Sequence, residues 1–146
     1  MRRWLLAMVV PALASQIGCE TVDLGEPPAD VNACRPSQQY FIDEIWPNFL
    51  YKDGYPNGVH CYDASCHGAL APNALDLVVP NVPGAVPLTG DWAANYMATT
   101  EEMSCSNVAS SKLLELPAGL KVHGGGKLIE PDGPEATLIK AWISAP

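Results

Sequence analysis

Fourteen prolines and twelve glycines in 146 residues set the first limit on what this chain can build. Proline fixes φ and removes a backbone donor, and glycine favours turns, so the chain should hold few regular elements joined by long irregular connections. With 48% hydrophobic residues, the length suits one compact domain and not two. A loop-rich domain of this size lacks a large apolar centre of its own, and a bulky prosthetic group could supply one.

The stretch with the most chemistry is Cys61-Tyr62-Asp63-Ala64-Ser65-Cys66-His67-Gly68. Two thiols with a histidine directly after the second is the arrangement that ties a haem to a chain by two thioether bonds, the histidine ligating the iron. Four residues separate the cysteines where two are usual, so the two extra residues must loop outward. Two other chemistries use the same residues. Cys61 and Cys66 can form a disulfide, and His60, Cys61, Cys66 and His67 are a zinc set by residue type. Adjacent residues rarely converge on one tetrahedral ion, which disfavours zinc.

Met1-Arg2-Arg3 precedes an apolar run over residues 4–14. Eleven residues at ~1.5 Å each cannot cross ~30 Å of hydrocarbon, so this is an export signal and not a spanning helix. Cleavage after Ala14 would leave Ser15 at the terminus. Alternatively, Gln16-Ile17-Gly18-Cys19 resembles the cleavage box of bacterial lipoproteins, which implies acylation of Cys19. The expected organisation is a signal peptide over 1–18, a polar, proline-containing flexible tether over 19–35, and one domain over 36–146. Glu20 after the cysteine, in place of Asp, fits passage to an outer membrane. The chain is thus expected to be exported, as a periplasmic or outer-membrane-anchored bacterial lipoprotein.

Within the domain, Ser37 is a suitable N-cap for a helix over 38–46, with Phe41, Ile45, Ile42 and Trp46 forming an apolar stripe that Pro47 ends or kinks. Prolines at 72, 80 and 83 make the region after Gly68 a loop over a hydrophobic surface, with a short extended piece at 75–79. Short helices are expected over 91–98, capped by Thr89 or Asp91, and around 111–115. A terminal helix follows Gly133, with Pro134 in its first turn and Leu138, Ile139, Trp142 and Ile143 on one side.

The order of aromatic-rich helix, Cys/Cys/His-Gly, loop, histidine with glycines (His123 to Gly126) and a final helix containing Trp142-Ile143 resembles a single-haem c-type cytochrome. That resemblance implies a mainly α, cytochrome c-like fold around one covalent haem c. In it the first and last helices cross, bringing Phe41, Ile45, Leu138 and Trp142 together. It also implies Cys61 and Cys66 as attachment sites, His67 as the proximal iron ligand, and a distal ligand before the terminal helix. His123 is the distal candidate, with Met103 and then Met97 as alternatives. Of the five cysteines, Cys19 would then take lipid and Cys34 would pair with Cys105.

The function so implied is single-electron transfer and not enzymatic catalysis. Two rivals stay open: a non-redox, disulfide-stabilised exported binding module, and a haem-based ligand sensor or peroxidase-like protein. The net charge of -8 repels a phosphate backbone and so argues against nucleic acid, while a redox partner should present a basic face. Membrane contact would come through the lipid on Cys19.

Overall fold

The computed structural model describes residues 35–68 and 75–145. The expected signal segment, Cys19, the tether up to residue 34, and Cys34 lie outside these residues. Among the described residues the structure is mainly helical and contains no strand. None of its helices is long and apolar enough to cross a membrane.

The Ser37 hydroxyl accepts the Tyr40 N–H at 3.2 Å and opens α1 (Gln38–Tyr40). The helix then widens without a break into a π-helical stretch, Phe41–Leu50. Tyr51 N–H closes it on the carbonyl of Trp46, five residues back, at 2.7 Å. Of the two outcomes expected at Pro47, an end or a kink, the helix does not end: it changes to a π-helical course and runs on to Leu50. In an ordinary α turn its ring would press on the carbonyl four residues earlier and leave a donor missing; the wider turn moves that carbonyl aside. The consequence is packing: Phe49 and Leu50, beyond the expected stop, are buried along with Phe41, Ile45 and Trp46.

Phe41 is the hub of the core. Its ring lies 5.5 Å from Trp142, 5.5 Å from Tyr96 and 6.4 Å from Trp92, the last two edge-on. Such pairs contribute roughly 0.5–1.5 kcal/mol each beyond simple burial. They join the first helix to α2 (Gly90–Glu101) and to the terminal helix, α4 (Pro134–Ser144). The polar tips of the rings all find carbonyls: Trp142 Nε1 donates to Ser37 at 2.9 Å, Tyr96 to Pro36 at 2.6 Å and Trp92 Nε1 to Val82 at 2.9 Å. An ion pair between Lys52 and Glu135 fastens α4 to the chain just beyond the first helix.

The segment before α2 is not extended into a strand. Buried Asn95 holds it instead, accepting Val78 N–H at 2.9 Å and donating to the Val78 carbonyl at 2.7 Å. A side-chain amide thus replaces the neighbouring strand that a β-ladder would need. Leu77 is consequently pinned in the core.

After α2, a 3₁₀ turn at Val108–Ser110 leads into α3 (Lys112–Glu115), close to the expected position. Ser111 is fully buried, its hydroxyl accepting Ser104 N–H at 2.9 Å, and Leu113 N–H reaches the Glu102 carbonyl at 3.0 Å. This clasp folds the chain around Cys105, which is disulfide-bonded. Because Cys61 and Cys66 are thiols, the partner of Cys105 lies outside the described residues, where Cys34 also lies.

Candidate functional site

The Cys61 to Gly68 segment coils around Asp63. The Asp63 carboxylate accepts His60 N–H at 2.8 Å, and its carbonyl accepts from both Cys66 N–H (2.8 Å) and Gly68 N–H (2.9 Å). Ala64 and Ser65 are exposed, so the extra length of the motif bulges into solvent. Gly68 has no alternative: a Cβ there would stand 2.5 Å from the Tyr62 carbonyl oxygen. Cys61 is buried beside the carbonyl of Phe49. Burial first, then Cys66 and Asp63, push its thiol up to about 12, so it is neutral at ordinary pH.

His67 is built into this coil from several sides. Its N–H donates to the Cys61 carbonyl at 3.1 Å, and its carbonyl accepts Leu77 N–H at 2.6 Å. Its Nδ1 lies 3.0 Å from the carbonyl oxygen of Leu75. A carbonyl only accepts, so Nδ1 carries a proton, and in the neutral ring Nε2 is then the lone-pair nitrogen.

His123 sits in a loop whose neck is closed by Leu128 N–H and Ile129 N–H on the Pro117 carbonyl, at 2.7 and 3.1 Å. Its Nδ1 lies 3.0 Å from the Gly126 carbonyl, and Gly126 N–H returns to the His123 carbonyl at 3.0 Å. Gly126 takes φ +72°, a conformation glycine adopts without penalty, and this is what turns the loop back onto the ring. By the same carbonyl argument, in the neutral ring of His123 Nε2 is the lone-pair nitrogen.

The two imidazoles come together. Their centroids are 6.0 Å apart and their planes differ by 16°. Both line one cleft of about 260 Å³, together with Cys61, Phe49, Leu75, Leu113, Leu116, Pro117 and Leu128. Glu102 and Lys112, with 3.5 Å between carboxylate and ammonium, are the charged members of the lining. A metal bound by two imidazole nitrogens needs two bonds of about 2 Å, which puts the ring centroids roughly 6 Å apart. The centroid spacing equals that span, and both Nδ1 atoms are tied to carbonyls, the usual support for a metal-bound histidine.

Other candidates fall elsewhere. Met103 packs against the core without lining the cleft, and Met97 is exposed on α2. Cys66 is half-buried and outside the lining. His60 has its Nδ1 3.4 Å from the Lys52 carbonyl and 3.3 Å from Asp53, and does not reach the cleft. Among the described residues, no group of three or more His, Cys, Asp or Glu side chains is gathered to hold a metal ion, so the zinc set is not assembled.

Two contributors escaped the sequence. Asn95 was hidden inside a helix, although its spacing from Trp92 and Thr99 (i, i+3, i+7) places it on the buried face. Glu102 carried no local signal, being one of an acidic pair. Comparison with protein-family models, with curated proteins and with solved structures finds no match to this chain.

Proposed function

We propose that the domain carries single electrons through one covalently attached haem c. Cys61 and Cys66 would hold the macrocycle, and His67 and His123 would ligate the iron. The observation that carries this reading is the pair of near-parallel imidazoles 6.0 Å apart, lining an apolar cleft with Cys61. When bound, the group supplies reversible one-electron chemistry at iron.

The chain's own residues do the rest. Leu75 and Gly126 fix the tautomers through their carbonyls and make each Nε2 a stronger donor. The leucines of the cleft exclude water and keep the local dielectric low, which tunes a buried redox centre. Covalent attachment suits a domain too small to enclose a large group. The packing of Phe41 against Trp142, where the first and last helices meet, agrees with the cytochrome c-like layout. With a net charge of -8, the fitting electron partner presents a basic face. An exported, lipid-anchored location suits thioether attachment, and Cys34 is the proposed partner of Cys105.

The test is direct. The full chain is co-expressed with haem-attachment machinery, purified and denatured. A visible chromophore that stays with the polypeptide and a mass gain of one haem are expected; a colourless protein of unmodified mass overturns the reading.

A further inference from the structure

The two histidines are anchored very differently, and the difference bears on what the centre can bind. His67 is fixed by the Cys61 carbonyl behind it and by Leu75 and Leu77 in front, the latter buried in the core. Among the described residues, both hydrogen bonds of His123 end on Gly126, three residues away in the same loop. His123 can therefore leave the cleft with its own hydrogen bonds intact, because its partner travels with it. The neck at Pro117 would stay closed meanwhile. Leu120 and Lys121 are held by the Glu115 carbonyl at 2.9 and 3.3 Å, whereas Val122 beyond them is 99% exposed, so the movement is confined to 122–126, where the loop tip has little packing to lose.

We propose that His123 is an exchangeable ligand, and that the position it vacates admits small neutral molecules while His67 stays bound. This deepens the haem reading and rests on it. In the exchange, the lone pair of His123 Nε2 would leave the iron and the lone pair of the incoming neutral donor would take its place, with no change of oxidation state. The class of ligand follows from the wall of the cleft. Four of its eleven lining residues are leucines, and its one carboxylate, Glu102, 10% exposed, already neutralises the one ammonium, Lys112, at 3.5 Å, so an anion meets low dielectric without a free countercharge.

The probe is carbon monoxide, added to the reduced holoprotein and followed in the visible spectrum. The wild type should bind it at a rate that saturates with concentration, the plateau being the departure of His123. In His123→Ala the rate should rise linearly without a plateau. Gly124→Ala should lower the plateau about two- to five-fold. Its Cβ meets nothing within 4 Å, so it stiffens the open loop without disturbing the closed one. In the oxidised protein, Glu102→Gln should tighten azide binding by about three-fold or more.

The failures are separable. If His123→Ala binds carbon monoxide and the wild type never does, exchange is refuted while the two-histidine centre stands. If both bind identically and the unliganded spectra coincide, His123 is not an iron ligand and both ideas fall. Azide affinity unchanged by Glu102→Gln would refute the preference for neutral ligands.

Discussion

His67 and His123 each hold a backbone carbonyl at 3.0 Å through Nδ1, yet the two carbonyls belong to different kinds of structure. The Leu75 carbonyl is part of a segment clasped by buried Asn95 and anchored by Leu77. The Gly126 carbonyl belongs to the loop that bears His123 itself. The same hydrogen bond therefore fixes one ring to the core and the other only to its own loop. What this teaches is that the rigidity of a side chain is set by what holds its hydrogen-bond partner, not by the length of the bond.

The sharpest way to break that contrast is to remove each ring. His67→Ala should be recovered essentially without haem, whereas His123→Ala should keep the full haem mass with an altered spectrum; mass spectrometry and visible absorption distinguish them. Equal loss from both would abolish the asymmetry.

Next comes the support behind His67. Asn95→Leu leaves the Val78 N–H and carbonyl without their amide, and should cost about 2–4 kcal/mol in urea unfolding. A loss under about 0.5 kcal/mol would mean that the clasp is not what anchors the His67 side.

Glycines on the two sides provide a smaller comparison. Gly68→Ala forces a Cβ against the Tyr62 carbonyl and should destabilise by about 1–3 kcal/mol. Gly124→Ala meets open space and should change stability by no more than about 1 kcal/mol, in the stabilising direction. The same urea series measures both.

The smallest effect concerns the frame that both sides share. Burial raises the Glu135 carboxyl, but the Lys52 hydrogen bond and charge, with a backbone donor, outweigh it and leave the group below its ordinary value. A depressed carboxylate contributes stability above its unfolded pKa and loses it as pH falls through the folded one. Wild type should thus lose slightly more stability than Glu135→Gln between mildly and strongly acidic pH. Identical acid limbs would show that the Lys52 contact does not couple to folding.

Much of the frame was legible before any coordinates. Ser37 as a cap, Pro134 in the first turn of α4 and the apolar faces at Phe41, Ile45 and Trp142 follow local rules of capping and periodicity, and the structure places them so. The course of the chain past Pro47 was not legible. Local rules stop a helix at proline, but burial of Phe49 and Leu50 and a widened turn carry it through. The segment at 75–79, expected as a loop with a short extended piece, carries no strand; what the sequence did not show is that the amide of Asn95 supplies its hydrogen bonds.

The sequence by itself determined which residues could do chemistry: two thiols, a histidine locked beside the second, and another histidine among glycines. Adjacency fixed His67 next to Cys66, since bonded neighbours cannot part. Only the tertiary structure decided that His123, and not Met103 or Met97, shares the cleft with His67. That choice depends on the Pro117 neck and the turn at Gly126, which bring together rings 56 residues apart in the chain. Contacts across such a separation come from packing and loop closure, and no local pattern encodes them.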